Sequence, residues 1–289
     1  MPCALVTGAR GFVGRWLVAA LRSAGWTVAT ADRRGPADVV GDLGRVPLRG
    51  LRADVVFHLA AFAHPGASVQ AAAQTFDVNV LGTRRVLQEV RAGRVVLAGT
   101  AAVYRPSPRP VDETAPLRPA TPYAASKLCA EGVALASGRD VVILRPSNHT
   151  GPGQSDVYVC PRIARQVARA EAGRGPREVV VGDLSPARDF FDVRDMARAY
   201  RLAAERGARG AVYNVGTGRP SKIRRVVEIL TGLSRVKLKV TAGPDRAGDM
   251  LSCDASRFRA ATGWAPEIPL ERTLADLLEH ERRETARSR

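Results

Sequence analysis

Lysine is almost absent from this chain. It occurs only at positions 127, 222, 237 and 239, so the 44 basic residues include 40 arginines. The formal charge is +16, but the basic residues are spread along the whole length. There is no basic block and no stripe of arginines interleaved with aromatics, which argues against a nucleic-acid groove. The arginine skew is what a GC-rich coding sequence produces. A basic surface would still draw anionic ligands towards it. Cysteine is scarce too: Cys3, Cys129, Cys160 and Cys253 have neither a disulfide framework nor metal-ligand spacing. Reduced thiols and no metal site are expected. No apolar run approaches the ~20 residues of a membrane span. The opening residues run straight into Ala4–Gly8 without the basic region and cleavage site of a signal peptide, so a cytoplasmic location is expected. Repeats and long linkers are also missing.

What is present is enough apolar material for a large core. The chain has 289 residues, 45% of them hydrophobic. They suit one big domain or two closely packed ones. Residues 3–7 read as a buried strand and Trp16–Ala24 as an amphipathic helix. Between them stand Gly8, Gly11 and Gly14. Glycines there permit a tight turn and let backbone approach a pyrophosphate at the helix N-terminus, with Arg10, Phe12 and Val13 lining the same turn. A second strand, 27–31, ends at Asp32. A carboxylate at that point accepts hydrogen bonds from an adenosine ribose, which favours NAD. Arg33 and Arg34 follow at once and would pair with a 2′-phosphate. The choice between NADH and NADPH therefore stays open.

Tyr123 and Lys127 lie four residues apart, on one face of a helix. A tyrosine ordinarily titrates near ~10, and a neighbouring positive charge lowers that value. The sequence thus predicts a Tyr123 whose pKa is depressed by Lys127, able to give a proton to a carbonyl oxygen or take one from an alcohol. Four residues before Tyr104 stands Thr100, at the end of a strand read over 94–98. Ala101 and Ala102 follow it, and methyl groups do no general acid–base work. Residues 105–122 are rich in proline and read as a loop, with Asp112 and Glu113 as solvated charges. His58 reads as a packed strand histidine, and Asp192 and Asp195 as helix-capping and structural residues.

These motifs resemble the extended short-chain dehydrogenase/reductase family. The resemblance rests on the glycine turn, on Gly41-Asp42-Leu43, on His58 to Ala61, on Thr100 to Tyr104 and on Tyr123 with Lys127. It extends through R-P-x-N-x-x-G-P-G-Q at 145–154, Arg188 to Asp195 and Tyr213 to Gly218. It implies an α/β fold: a Rossmann-type doubly wound parallel sheet with a smaller C-terminal substrate-binding domain. Residues 1–146 plus 189–218 would form the first domain, and 147–188 plus 219–289 the second. It implies that Asp42 and Leu43 contact the adenine, that Leu59, Ala60 and Ala61 pass along the cofactor, and that Thr100, Tyr123 and Lys127 form the catalytic triad. Ala102, Asn148, Arg188, Arg246 and Asp249 would face the substrate, with the arginines on its nucleotide diphosphate. Asn79 would be structural. A homodimer through the Tyr123 helix and an earlier one near 75–90 is also implied.

Within the family, residues 145–154, 164–173, 188–200, 213–218 and 262–271 are similar to the GDP-4-keto-6-deoxy-mannose reductases. The implied reaction is hydride transfer from NADPH or NADH to the C4 ketone of a nucleotide-diphosphate sugar. Sugar-nucleotide dehydratases carry an acid where Ala102 stands, which argues against that activity. Ser147, Arg105 and the Arg246–Asp249 segment depart from the branch pattern near the expected sugar and nucleotide. A dTDP-linked 4-keto-6-deoxyhexose is therefore an alternative substrate. An NAD-dependent nucleotide-sugar epimerase and a non-catalytic dinucleotide-sensing protein are the rival readings.

Overall fold

The computed structural model describes residues 1–246 and 248–287. Ala247, inside the expected substrate loop, and the last two residues lie outside the described residues.

The chain opens with β1 (Cys3–Thr7), α1 (Phe12–Ser23), β2 (Thr27–Asp32), β3 (Val39–Val40) and β4 (Arg52–His58). A broken helical stretch follows: α2 (Pro65–Gln70), α3 (Ala72–Phe76), a π-helical turn over Asp77–Leu81 and α4 (Gly82–Glu89). Then come β5 (Arg91–Ala98), α5 (Pro122–Leu135) and β6 (Val141–Pro146). Helix α1 starts four residues before its apolar pattern does. Gly11 is its N-cap, and its first turn holds Gly14, whose poor helix propensity hides the start in the sequence.

After β6 the chain leaves the sheet through β7 (Asn148–Thr150), α6 (Val159–Glu171), β8 (Glu178–Val181), β9 (Ala187–Arg188) and β10 (Phe190–Asp192). Helix α7 (Val193–Arg206) leads back to β11 (Val212–Val215). The large sheet has seven strands in the order β11-β6-β5-β4-β1-β2-β3, all parallel. Helices cross over between most of its strands and cover both faces, so the middles of the central strands are apolar. Alternate residues face opposite sides. Ala4 and Val6 pack with Leu17 and Leu21 of α1, while Leu5 packs with Val86 and Leu87 of α4.

The remaining elements are β12 (Ser221–Lys222), α8 (Ile223–Gly232), β13 (Lys239–Ala242), β14 (Met250–Leu251), α9 (Ser256–Thr262) and α10 (Leu270–Arg287). A separate apolar cluster gathers Ile163 and Val167 of α6, Val226 and Leu230 of α8, and Leu274 and Leu277 of α10. Phe258 and Trp264 pack instead into the first cluster, beside Tyr213 and Phe191. Among the described residues no helix is long and apolar enough to cross a membrane.

Three buried aspartates join these parts. Asp192 is the N-cap of α7 and also accepts from Thr273 Oγ1 of α10 at 2.8 Å. Asp195 accepts from the Glu267 and Ile268 amides, at 3.0 Å each. Asp189 is fully buried and accepts from the amides of Thr217, Gly218 and Cys253 and from the Thr217 hydroxyl. That accounts for the Gly216-Thr217-Gly218 turn, which wraps the carboxylate. Asp189→Ala would strand three amides without an acceptor. It is expected to lower the unfolding free energy by roughly 3 kcal/mol or more, read as a lower urea midpoint. An unchanged midpoint would contradict this role.

Candidate active site

The turn between β1 and α1 is bare backbone. Gly8 adopts φ 69°, and its amide donates to Ala31 O at 2.8 Å. A Cβ at Gly14 would stand 2.1 Å from Gly8 O, so no side chain fits there. No side chain caps α1. Its first amides, at Phe12, Val13 and Gly14, are the kind of donors that hold a phosphate. Leu59 and Ala60 border this cradle. Leu59 N donates to Thr7 O, Ala60 N donates to Thr7 Oγ1 at 3.2 Å, and a Cβ at Gly8 would stand 2.8 Å from Ala60 N. Ala61 continues the same segment and is half-buried. The donor set and the space both fit a dinucleotide pyrophosphate.

Asp32 braces this turn as well as facing it. Its Oδ2 accepts from Arg10 N at 2.9 Å and its Oδ1 from Arg34 N at 3.4 Å. The side chains of Arg10, Arg33 and Arg34 stand exposed around it. The Asp42 carboxylate turns into its own loop, accepting from Gly44 N at 2.8 Å. Leu43 is half-buried, and its carbonyl is held by Arg85.

Helix α5 brings the triad to this edge. Thr121 is its N-cap and accepts from Ala124 N at 3.2 Å, with Pro122 in the first turn. Tyr123 N donates to Ser68 Oγ at 3.1 Å. The Tyr123 phenol faces Thr100, which is itself buried and accepts from Ala102 N at 3.2 Å. One turn on, Lys127 is buried. The expected depression of the Tyr123 pKa is not what the geometry produces. Burial pushes the phenol up to about 12, the Thr100 hydroxyl opposes this, and nearby Tyr158 adds to it. Burial also pulls Lys127 down to about 8, opposed by Glu131. Desolvation outweighs the neighbouring charge. Tyr123 is therefore a protonated phenol at neutral pH, suited to donate.

A chain of hydrogen bonds ties the glycine turn to α5. His58 Nδ1 meets Thr7 Oγ1 at 2.7 Å and its Nε2 meets Thr83 Oγ1 at 3.1 Å. Thr83 donates to Asn79 O, and Asn79 Nδ2 donates to Ser126 Oγ at 2.9 Å. Ser126 in turn donates to Tyr123 O at 2.8 Å. Burial and the nearby Lys127 charge hold the His58 pKa down near about 3. His149 stacks on Phe12, meets Phe191 edge-on, and is pulled down to about 4 by burial.

Farther along, a cleft of about 320 Å³ is lined by Asn148, Arg162, Ile163, Asp183, Arg188 and Phe190, among others. Asn148 is exposed to it. Arg188 pairs with Asp249 Oδ1 at 2.7 Å. Asp183 Oδ2 accepts from Arg246 N at 3.1 Å, and the Arg246 side chain is exposed. The structure thus joins Arg188 to Asp249 and holds the Arg246 backbone beside them. The sequence reading missed Arg162, one arginine among many on an amphipathic helix, with no motif to mark it. Glu113 was expected to be solvated, but it is half-buried and accepts from Asn214 N at 2.7 Å. The strand amide that faces it from β11 leaves no signal in the sequence around Glu113.

A model of the NAD dependent epimerase/dehydratase family matches residues 4–216. The chain is 35% identical to a GDP-6-deoxy-D-mannose reductase of Pseudomonas aeruginosa, over 94% of this chain and 95% of that one. The structure of RMD from Pseudomonas aeruginosa complexed with NADPH superposes with a TM-score of 0.90 at 32% identity, covering 98% of this chain and all of that one. MoeE5 in complex with UDP-glucose and NAD superposes with a TM-score of 0.88 at 32% identity, covering 98% and 99%.

Buried His58 and half-buried His149 generate a pH dependence. Both are held neutral in the folded chain, well below their ordinary value. Their contribution is fully present above ~6.5, and is lost as pH falls towards their folded values, because the unfolded chain then binds protons that the folded one does not. Between pH 6.5 and 5 the loss is roughly 2 kcal/mol per histidine. Tm should fall over that window, and less steeply in His58→Asn. A flat Tm there would contradict the assignment.

Proposed function

The chain belongs to the NAD dependent epimerase/dehydratase family, and from that premise we propose that it is a nucleotide-sugar 4-ketoreductase. The observation that carries the reading is Tyr123: a protonated phenol facing Thr100, one helical turn from buried Lys127 and tied by a chain of hydrogen bonds to a bare-backbone glycine turn. A bound reduced nicotinamide would supply hydride to the C4 carbon of the sugar. Tyr123 donates its proton to the C4 oxygen as the carbonyl π bond opens, so a C–H and an O–H bond replace it. Thr100 holds that oxygen, and Lys127 stabilises the phenolate left behind. Ala101 and Ala102 offer no carboxylate for water loss, which speaks against a dehydratase.

The substrate is read as GDP-4-keto-6-deoxy-D-mannose, with a dTDP-linked 4-keto-6-deoxyhexose as the alternative. Asn148, Arg188 and Arg246 hold its nucleotide diphosphate, with Arg162 added from the cleft, and Ala102 and Asp249 face the substrate. The cofactor is NADPH or NADH, bound by the glycine turn, Asp32 and the adjoining arginines. Residues 147–188 and 219–289 form the substrate domain, lending Phe258 and Trp264 to the first domain's core. A cytoplasmic location belongs to the same reading. So does a homodimer. Val69, Phe76 and Leu81 are exposed on the helices packed beside α5, and Leu135 is exposed on α5 itself. Light scattering should return twice the 30.9 kDa chain mass; a monomer would rule that out.

The activity test offers the GDP- and dTDP-linked 4-keto-6-deoxyhexoses with NADPH and with NADH, following cofactor oxidation. Consumption with the GDP-sugar is expected, and Tyr123→Phe should bind cofactor normally but lose about 100-fold or more in turnover. Cofactor that co-purifies and is never consumed would favour an epimerase. Dinucleotide binding with no turnover on any keto-sugar would favour a sensor.

A further inference from the structure

We infer that Glu131, clamped by Arg145, is the fixed counter-charge that keeps Lys127 an ammonium beside Tyr123. Glu131 is thus a positioning residue that acts through Lys127. The consequence for catalysis rests on the ketoreductase reading; the charge relation itself does not.

Tyr123, Lys127 and Glu131 are spaced i, i+4 and i+8, on one face of α5. Lys127 is 3% exposed and Glu131 2%. An ammonium buried alone surrenders its proton. Among the described residues, the other groups of the network around α5 give little help. His58, from β4, is neutral, and its ring nitrogens meet Thr7 and Thr83. Thr100 at the end of β5, and Asn79 and Ser126 between the helices, carry no charge. Tyr123 is protonated. The one charge that favours the ammonium is Glu131.

Arg145 holds that charge in place. Its Nε lies 3.2 Å from Glu131 Oε1 and 3.0 Å from Oε2, and its Nη2 lies 2.7 Å from Oε2. Its Nη1 donates to Tyr104 OH at 2.8 Å, and Tyr104 OH donates to Asn214 Oδ1 at 2.8 Å. The guanidinium also lies 5.2 Å from the Tyr104 ring centroid. The pocket is cut to size, since a Cβ at Gly99 would stand 2.7 Å from Glu131 Oε1. With both oxygens taken by Arg145, the carboxylate acts on Lys127 through its field. It does not draw the ammonium along the helix, away from Tyr123. A buried ion pair adds little net stability compared with apolar side chains of the same volume. Its effect here is electrostatic.

The scarcity of lysine makes the test direct. Protein carrying [ε-13C]lysine should show four resonances, three of them from exposed side chains at 222, 237 and 239. The fourth is assigned by its loss in Lys127→Arg. In the unmodified chain it should titrate near about 8. In Glu131→Gln the midpoint should fall by about one pH unit or more. Glu131→Asp keeps the charge and should bring the midpoint back towards the unmodified value. Glu131→Gln/Arg145→Met removes both charges together, so no buried charge is left unpaired, and it should still show a fall, smaller than in Glu131→Gln because the Arg145 charge that disfavours the ammonium is gone as well. That double variant decides the matter where Glu131→Gln alone does not fold. A midpoint unmoved in the double variant, or lowered as far in Glu131→Asp as in Glu131→Gln, would overturn the inference. In parallel, the alkaline limb of kcat/KM should move with the Lys127 midpoint. A midpoint that moves in a protein without turnover on any keto-sugar would support the charge relation and sink the reductase reading.

Discussion

Helix α5 turns four polar side chains, Tyr123, Ser126, Lys127 and Glu131, into the protein, and each has to be compensated. Much of the molecule around the site is arranged to do so. Thr100 comes from the end of β5, Asn79 from the π-helical turn and Arg145 from β6. These partners fix where α5 sits over the carboxyl edge of the sheet. The small residues Ala124, Ala130 and Ala134 on the buried face let it lie close. The same burial sets the chemistry. It keeps the phenol protonated and weakens the hold of Lys127 on its own proton.

The glycine turn and the triad are coupled through the interior. Thr7 ends β1, and its hydroxyl serves both His58 and Ala60 N. From His58 the bonds run through Thr83, Asn79 and Ser126 to the backbone of Tyr123. The glycine turn and Tyr123 are thereby held in one register. Every link in this chain is buried or half-buried, where a broken hydrogen bond costs most.

The second half of the chain supplies a wall rather than another reactive group. Asp189 gathers the Gly216–Gly218 turn and Cys253, and Asp192 joins α7 to α10. Just before Asp189 the chain passes Arg188, whose pairing with Asp249 links β9 to the residue ahead of β14. The cleft lined by Asn148, Arg162 and Arg188 thus rests on buried carboxylates that take no part in it.

Periodicity and short motifs carry local information, and what they determined is local. Alternating apolar runs specify parallel strands with crossover helices, the glycine spacing specifies a turn without side chains, and the four-residue interval puts Tyr123 and Lys127 on one face. Asp192 was legible as a capping residue because the amide it caps, Arg194 N, lies two residues on. The Tyr123 pKa was misjudged because burial leaves no mark in a motif, and here burial is the largest cause of its shift. Glu113 read as solvated because nothing near it in the chain indicates Asn214, 101 residues away. The Glu131–Arg145–Tyr104–Asn214 network spans separations of 14, 41 and 110 residues. Such partners meet only when β5, β6 and β11 are laid side by side, so the tertiary structure alone decided which charge stands behind Lys127.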